Sequence, residues 1–596
     1  MQLAAIDFAV VAAYFAIIMA TAMVFVRRAR RSMLDYFVSH RSMPWWLAGT
    51  AMVATTFSAD TPLAVTEMVV KNGVAGNWLW WSMLASGMMT VFFFARLWRR
   101  AEVVTDVELT ELRYGGTPAA ILRGFRAAYL GLVVNIIIMG WVNLGMAKVL
   151  SGTLGINKWS AVAACLLITF VYTVLSGYWG IAASDGLQYC FEMGGAIVLA
   201  IVSWRAVGGG DALFSKLADA HPAGTPPGTI FGNAHEVLSF WPSGSAVWVM
   251  PAITIAALMG VNWWASWYPG AEPGGGGYVV QNISATRDER EGRAAALFFN
   301  IAHYAIRSWP WVITALCSLA IYHGGGDDPG RNYVKMMVDF LPAGLRGFML
   351  ASFAAAYTST VATQMNWGSS YLVNDLYRRF IRSDASERHY VAASRVATTI
   401  TLLLSIVVTA FMDQISQAWQ FLMMLGAGTG LVYILRWYWW RINAWSEVSA
   451  MVAALVTSLS LRWVIDTSRP EGFALNLIVT TVVTTIVWVA VTFATRPESH
   501  DTLLAFYRRA RPAGLGRRRF AEETGIRGPR GEIARNALEW LLGVVMVYSI
   551  MFVTGALIFD ERRKLMIFSI LLVASAAGLW GVLRRDNRLD SAGRGA

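Results

Sequence analysis

The chain has 596 residues, of which 56% are hydrophobic and only 14% are charged, and its mean hydropathy is +0.49. A soluble protein of this length carries about a quarter charged residues and could not bury so much apolar surface. The net charge of +12 would suit nucleic acid, but no nucleic-acid-binding motif accompanies the basic residues. Composition therefore predicts an all-α polytopic membrane protein.

Apolar segments of roughly 20 residues, the length that crosses about 30 Å of hydrocarbon, recur along the whole chain. They predict about fifteen membrane spans. The first is expected to stay in the mature protein, because no Ala-x-Ala cleavage site follows it. The predicted spans lie near 5–26, 44–70, 77–98, 126–150, 158–180, 184–206, 247–269, 292–323, 341–376, 391–411, 416–436, 441–465, 474–495, 537–559 and 565–584.

Arginines gather in four connections, and each of these connections follows an odd-numbered predicted span. The clusters contain Arg27, Arg28, Arg30, Arg31 and Arg41; Arg96, Arg99, Arg100, Arg113, Arg123 and Arg126; Arg378, Arg379, Arg382 and Arg388; and Arg508, Arg509, Arg511 and Arg517 to Arg519. The positive-inside rule makes this side cytoplasmic. We therefore expect a plasma (inner) membrane protein with its N-terminus outside and its C-terminus inside, although the turn at 560–564 disagrees.

Two further segments mark the organisation of the chain. Residues 496–536 are a basic linker that separates the main body from a final two-helix hairpin. Residues 270–277 read Gly-Ala-Glu-Pro-Gly-Gly-Gly-Gly and lack the Gly-Lys-Ser/Thr of a phosphate-binding loop. They predict a hinge or a re-entrant turn.

The second predicted span contains a weak point at residues 54–62, Ala-Thr-Thr-Phe-Ser-Ala-Asp-Thr-Pro. Pro62 has no N–H, so the carbonyl of Ser58 is expected to lose its helical partner. Broken backbone at membrane depth is tolerated only where it is buried or lines a cavity, and freed carbonyls there are good sodium ligands. A simple proline kink, with Ser and Thr bonded to their own helix, is the alternative interpretation.

The ninth predicted span carries a stripe of small and hydroxyl residues. Ala356, Ser359, Thr360 and Thr363 fall at i, i+3, i+4 and i+7 and therefore share one helix face. Ordinary helix–helix packing uses such stripes too. Paired with a broken helix, however, this stripe would offer several neutral oxygens to a monovalent cation.

Three separated segments together resemble the sodium:solute symporter family, which includes the sodium/proline and sodium/glucose cotransporters. The likeness extends over about residues 1–500 and indicates a bacterial-type member. The residues that carry it are Pro44-Trp45-Trp46-Leu47-Ala48-Gly49 with Phe57-Ser58-Ala59, Ser176-Gly177 with Ser184-Asp185-Gly186-Leu187-Gln188, and Ala356-Tyr357-Thr358-Ser359-Thr360 with Ser369-Ser370 and Asn374-Asp375-Leu376-Tyr377.

The resemblance implies a sodium site and no organic cofactor, with Na⁺ as the coupling ion. The implied ligands are the backbone carbonyls of Ala54, Phe57 and Ala356 and the hydroxyls of Ser359 and Thr360. Some members hold a second sodium ion near the positions of Asp185 and Thr363. Here Ala362 replaces one of the hydroxyls of that second site, which favours one sodium ion per cycle.

The resemblance also implies a five-plus-five inverted repeat, with one extra N-terminal helix and several extra C-terminal helices. The expected divisions are 1–43 (extra helix and basic loop), 44–206 (first repeat), 207–246 (extracellular loop), 247–436 (second repeat), 437–495 (additional helices), 496–536 (linker) and 537–596 (hairpin and tail).

Two carboxylates inside apolar segments are functional candidates in their own right. Asp185 could cap a helix N-terminus, or it could hold a cation on the cytoplasmic exit path. Asp60 lies deep in the second predicted span, where an ionisable group is costly. Asp60 could contact the substrate, line the sodium route or be protonated and structural, and the sequence indicates no basic partner for it.

The candidate solute ligands combine aromatic, amide and hydroxyl groups, which suit a sugar or another neutral polar solute. They are Ser58, Asp60, Thr61, Asn262, Trp264, Trp267, Tyr268 and Gln420. The tryptophans could instead be interface anchors. The Gly-rich insertion departs from the family pattern, and so does Gln281-Asn282, where many members carry Gln-Arg. The solute therefore stays either sugar-like or amino-acid/carboxylate-like.

We therefore predict a sodium-coupled symporter that imports a small polar solute across the lipid bilayer by alternating access. A sodium-independent carrier and a transporter-like solute receptor are the alternatives. An enzyme is disfavoured, because no metalloprotease or serine-hydrolase motif is present. The sequence does not indicate an oligomeric state.

Overall fold

The computed structural model describes residues 3–25, 37–38, 41–220, 234–241, 250–323, 328–514, 518–526 and 531–592. Within these ranges the chain is helical, and the one bridge between extended segments pairs Met43 with Thr286. Several predictions lie outside the described residues: the cytoplasmic Arg27, Arg28, Arg30, Arg31 and Arg517, and much of the extracellular loop 207–246.

The first half of the chain forms the helices α1 to α6. They are α1 (Ala5–Phe25), α2 (Trp45–Thr56), α3 (Thr61–Asn72), α4 (Val74–Ala101), α5 (Gly116–Leu154) and α6 (Lys158–Val207). Short helices at Leu109–Arg113, Gly210–Ala218 and Ala234–Leu238 lie in the connections.

The second half contains eleven further helices, α7 to α17. They are α7 (Ala252–Ala265), α8 (Gly277–Ala285), α9 (Glu289–Tyr322), α10 (Leu345–Ser370), α11 (Glu387–Thr409), α12 (Ile415–Leu425), α13 (Gly430–Tyr438), α14 (Ala444–Leu461), α15 (Pro470–Ala494), α16 (Glu532–Ile558) and α17 (Arg562–Ala592). A wide turn at Tyr371–Ile381 extends α10, and short helices occupy Arg331–Phe340, His500–Ala510 and Arg518–Thr524.

Every predicted span contains helix, but the described helices differ in their capacity to cross a membrane. Nine are long and apolar enough, and ten if α12 and α13, which are bent by 46° relative to one another, count as one span. The remaining segments are shorter, broken or more polar. The number of about fifteen spans therefore stays a prediction.

Two spans are broken, and each opens a block of five predicted spans. The first break separates α2 from α3 at Phe57–Asp60, and α3 begins with Pro62 in its first turn, where the missing N–H costs nothing. The second break separates α7 from α8 within the Gly-rich segment. There Gly274 and Gly275 have φ of 80° and 77°, a backbone conformation that favours glycine. The predicted hinge at 270–277 is thus the unwound part of a span.

Helix α6 combines two spans that the sequence predicted as separate. The Tyr172 hydroxyl donates to the carbonyl of Gly180 at 3.4 Å and contacts the hydroxyl of Ser184. Residues twelve apart lie about 18 Å apart in a straight helix. Helix α6 is therefore sharply bent between these residues, and the two predicted spans are joined by helix and not by a non-helical connection.

Ion pairs join the connections at one end of the helices. Arg123 of α5 contacts Asp375 at 2.6 Å and Glu111 at 2.7 Å. Arg126, one turn along the same helix, contacts Glu447 of α14 at 2.7 Å. Asp375 belongs to a sequence motif singled out above, so the structural role of that motif is to bind α5.

The C-terminal hairpin packs on the core. In α16 the Trp540 indole donates to the carbonyl of Ala85 at 2.8 Å, and the Tyr548 hydroxyl donates to the carbonyl of Trp81 at 2.9 Å. Helix α17 lies outside α16 and leaves large apolar side chains such as Ile570 and Val573 exposed. These exposed side chains are typical of a lipid-facing helix.

Helix α1 is attached to the N-terminus of α10 by a buried carboxylate. Asp7 Oδ1 accepts hydrogen bonds from the backbone N–H groups of Gly344 and Gly347, each at 2.7 Å. A Cβ on Gly347 would lie 2.5 Å from the Asp7 Cα, so only glycine permits this approach. Asp7 therefore satisfies free amides at the start of α10 from a different helix.

We predict that Asp7→Ala lowers the stability of the protein by about 1–2 kcal/mol, because two buried amides of α10 lose their acceptor. Thermal unfolding of the purified protein measures this change. The control is Asp211→Ala, an exposed aspartate in the first turn of its own short helix. Equal melting temperatures for the two variants would contradict the docking role of Asp7.

Candidate functional site

The break between α2 and α3 rearranges backbone hydrogen bonds. The Phe57 amide donates to the carbonyls of Val53 and Ala54 at 2.9 and 3.0 Å. The Thr61 amide donates to the carbonyl of Ser58 at 3.1 Å. The Ser58 carbonyl thus lacks the i+4 donor that Pro62 cannot supply, as predicted, but it is not left free, because a tighter turn supplies the Thr61 amide instead.

Helix α10 meets the end of α2 through its hydroxyl stripe. The Thr360 hydroxyl donates to the carbonyl of Thr55 at 2.8 Å. The Thr55 hydroxyl donates to Thr363 Oγ1 at 3.2 Å. The predicted stripe and the predicted break thus lie together although more than 300 residues separate them in the chain.

Helix α6 joins the same place through Asp185. The Ser359 hydroxyl donates to Asp185 Oδ1 at 2.8 Å, and Oδ2 has no hydrogen-bond partner within the described part of the chain. Asp185 is buried in the interior of α6, which begins at Lys158. The hydrogen bond that Asp185 accepts comes from a side chain of α10 and not from a backbone amide of its own helix.

Several buried carbonyl and hydroxyl oxygens lie at the junction of α2, α6 and α10. Ala54, Phe57, Ala356, Ser359 and Thr360 are all buried there. Carbonyl and hydroxyl oxygens keep lone pairs after one hydrogen bond, and they are the ligand types of a hard monovalent cation. Among the described residues no group of three or more His, Cys, Asp or Glu side chains could hold a metal ion.

A central cavity of about 60 Å³ opens beside the break. Four of the predicted solute ligands line it: Ser58, Asp60, Thr61 and Tyr268. Other lining side chains include Trp80, Trp141, Tyr278, Tyr304, Gln364 and Trp419. Aromatic walls with a few polar groups are the usual composition of a small-molecule site.

The other four predicted solute ligands do not line this cavity. The amide of Asn262 donates to the Ser82 hydroxyl at 3.2 Å and so ties α7 to α4. The Trp264 indole donates to the carbonyl of Gly260, and Trp267 packs against Gly426. Gln420 follows Trp419, which lines the cavity in its place. Because the span unwinds after Ala265, residues beyond it do not follow helical spacing.

Arg307 of α9 is a cavity residue that the sequence analysis missed. Its guanidinium donates to the Thr56 hydroxyl at 3.0 Å and contacts His303 Nε2 at 3.1 Å, and it lies over the Trp311 ring at 5.2 Å. Among the described residues it forms no ion pair with a carboxylate. The available signal was an arginine inside a long apolar segment, which is a functional candidate by default.

Asp60 faces the same cavity from the break. The Ser58 hydroxyl and the Trp419 indole face its carboxylate without forming a hydrogen bond of good geometry. The basic group that the sequence did not reveal is Arg307, which lines the cavity and influences the Asp60 charge electrostatically. The cavity therefore holds a buried carboxylate and a buried guanidinium that do not pair directly.

The broken helices, the buried oxygen cluster and the central cavity together define a membrane transporter of the broken-helix type. The family model described as "Sodium:solute symporter family" matches residues 36–259 and 314–456, more than half of the chain. The chain belongs to this family.

Curated relatives agree with this assignment. The chain is 23% identical to the sodium/glucose cotransporter of Vibrio parahaemolyticus, over 77% of this chain and 85% of the relative. It is 23% identical to a sodium/mannose cotransporter of Bos taurus, over 79% of this chain and 80% of the relative. These relatives are cotransporters, so the chain is a multi-pass transporter and not an enzyme.

A solved structure shows the same fold. A Na⁺-coupled sialic acid symporter, in a substrate-bound outward-open state, matches with a TM-score of 0.67 and 18% identity. The match covers 84% of this chain and 99% of the symporter. The predicted five-plus-five inverted-repeat fold with extra helices is thereby confirmed. With the family assignment it indicates sodium-coupled symport of a small solute, with Na⁺ as the coupling ion.

We predict that Gly145→Val abolishes both sodium and solute binding. A Cβ at Gly145 of α5 would lie 2.6 Å from the Cα of Asp60, so a side chain there must push α5 away from the break. Gly260→Val in α7, where a Cβ meets nothing within 4 Å, is the control. Ligand-induced thermal stabilisation measures both, and retained stabilisation in Gly145→Val would contradict the close packing.

Proposed function

We propose that this protein binds one sodium ion at the junction of α2 and α10 and couples it to a solute that carries both a carboxylate and an amino group. The observation that carries the sodium site is the hydrogen bond from the Thr360 hydroxyl to the carbonyl of Thr55. It brings the hydroxyl stripe of α10 to the unwound end of α2, where carbonyl oxygens converge.

The sodium ligands in this proposal are the carbonyls of Ala54, Phe57 and Ala356 and the hydroxyls of Ser359 and Thr360. A hydroxyl can donate its proton to one oxygen and still offer a lone pair to a cation. Sodium would therefore add to the existing contacts and tie α2 to α10 more strongly.

Asp185 and Thr363 extend this site in the proposal. Asp185 accepts from the Ser359 hydroxyl and keeps one oxygen without a partner among the described residues. A carboxylate in contact with a sodium ligand attracts the cation as it leaves. Ala362 offers no hydroxyl, which supports one sodium ion per cycle and a role for Asp185 on the exit path.

The solute class follows from the charges of the central cavity. A buried guanidinium without a carboxylate partner is costly, and a solute carboxylate relieves that cost through paired N–H···O contacts. Asp60 lines the same cavity and can accept from an amino group. An amino-acid-like zwitterion satisfies Arg307 and Asp60 together, whereas a sugar leaves both charges uncompensated.

The cycle we propose is alternating access, with the N-terminus outside and the C-terminus in the cytoplasm. Sodium and solute enter from outside, the outer side closes, and the inner side opens to release both. A tenfold sodium gradient contributes about 1.4 kcal/mol, and one charge crossing 100 mV contributes about 2.3 kcal/mol. The two together sustain a solute ratio of several hundred.

We predict that Ser359→Ala and Thr360→Ala each raise the sodium concentration for half-maximal transport by about tenfold, the loss of one ligand worth about 1.4 kcal/mol. Sodium titration of uptake measures this. The control is Thr485→Ala, whose hydroxyl bonds within its own helix α15. An unchanged sodium requirement in both site variants would refute the site.

The solute class is tested by thermal shift of purified protein with amino acids, carboxylates and sugars, each in sodium and in choline. We expect stabilisation by an amino acid in sodium only, because a ligand that binds the native state stabilises it. Arg307→Gln should abolish the response to carboxylates, and Asp60→Asn should remove the preference for an amino group. Stabilisation that ignores sodium would favour the uncoupled carrier or the receptor, and stabilisation by sugars alone would refute the zwitterion.

A further inference from the structure

A second carboxylate of α6 lies buried and unused by the proposed sodium site. Glu192 is two helical turns beyond Asp185, and its exposed fraction is 0%. Neither carboxylate oxygen has a hydrogen-bond partner within the described part of the chain. An ionised carboxylate in that position carries a large desolvation cost.

Glu192 faces a cavity of about 10 Å³, roughly the space of one water molecule. Apolar side chains form most of its wall, including Phe57, Trp311 and Phe353. The Tyr333 hydroxyl and the Trp311 indole N–H also line this cavity without a hydrogen-bond partner among the described residues.

The packing around this cavity is tight. The Ser352 hydroxyl of α10 donates to the backbone carbonyl of Glu192 at 3.3 Å. A Cβ on Gly195 would lie 2.5 Å from that same Ser352 hydroxyl oxygen, so no larger residue fits between α6 and α10 here without a shift. The space beside Glu192 is therefore too small for a hydrated ion.

The charged and titratable groups around Glu192 do not include a direct cationic partner. Asp185, Tyr189 and Cys190 share its helix. Tyr14 of α1 and Tyr333 lie near it, and Arg307 is the cation that influences it. The Arg307 guanidinium lies over the rings of Phe57 and Trp311, which also line the Glu192 cavity, and it donates to Thr56 and His303 instead.

We propose that the Glu192 carboxyl is a proton-binding site and that it releases its proton when sodium binds. A proton needs one oxygen and no added volume, whereas sodium needs five or six oxygens, more than this cavity offers. A water molecule in this cavity can connect the protonated carboxyl to the Tyr333 hydroxyl. When Glu192 ionises, its O–H bond breaks, the electron pair stays on the carboxylate, and the proton passes to water.

The link to sodium is geometric, and it rests on the proposed sodium site. Phe57 and Ala356, whose carbonyls are proposed ligands, also line the Glu192 cavity. A cation held by those carbonyls stabilises the ionised carboxylate behind them and opposes protonation. By reciprocity, protonation of Glu192 weakens sodium binding by the same factor.

The test is a sodium titration of thermal stabilisation between about pH 5 and pH 9 on the purified full-length protein. In the wild type we expect the half-saturating sodium concentration to rise as the pH falls, approaching about tenfold per pH unit on the acid side. Glu192→Gln should bind sodium with one affinity across this range. Glu272→Gln, which removes a buried carboxylate of the Gly-rich segment that has no role in the proposed sites, is the matched control and should keep the wild-type slope.

A second measurement tests the proposal if Glu192→Gln is unstable. Sodium added to lightly buffered wild-type protein should release up to one proton per sodium bound, which a pH indicator measures. In Tyr333→Phe the pH at which this release is greatest should shift. Sodium affinity independent of pH in the wild type would overturn the proposal, and so would an unchanged slope in Glu192→Gln. Absence of sodium stabilisation at every pH would instead overturn the proposed sodium site.

Discussion

The rest of the site depends on one contact, the hydrogen bond from the Thr360 hydroxyl of α10 to the carbonyl of Thr55 at the end of α2. A helix that stops inside a membrane leaves carbonyls that lipid cannot satisfy. This protein satisfies them with the hydroxyls of a neighbouring helix. Asp7 fixes the start of that helix and Arg123 fixes its far end through Asp375, so the position of Thr360 is determined from both directions.

Buried charge is the second constraint on the site. Asp60, Asp185 and Glu192 are buried near the break, and the one arginine near them among the described residues, Arg307, shares the central cavity with Asp60. Three acids and one base leave two negative charges to be balanced in a low dielectric. A sodium ion or a proton on Glu192 balances one of these charges, and in the proposed cycle each replaces the other. The same accounting explains why a zwitterionic solute, which adds no net charge, suits the space between Asp60 and Arg307.

The sequence predicted local features well, because their causes are local. Pro62 marks the break since it lacks an N–H, and the stripe from Ala356 to Thr363 follows from helical spacing. Predictions that depended on which groups pair through hydrogen bonds were less accurate. The Ser58 carbonyl accepts a hydrogen bond from the Thr61 amide. Asp185 lies within one helix where the sequence predicted two. Arg307 was visible as an arginine in an apolar segment, but its place in the cavity was not.

The sequence by itself determined the membrane class, the approximate helices, the break in the second span and the family. Each of these follows from apolar length, backbone chemistry or residue spacing within one short segment. Only the tertiary structure decided that Asp60 and Arg307 share a cavity, that Ser359 binds Asp185, and that Glu192 has no partner within the described residues. These pairings join segments separated by many residues, and helix packing, which local sequence does not specify, sets the distances between them.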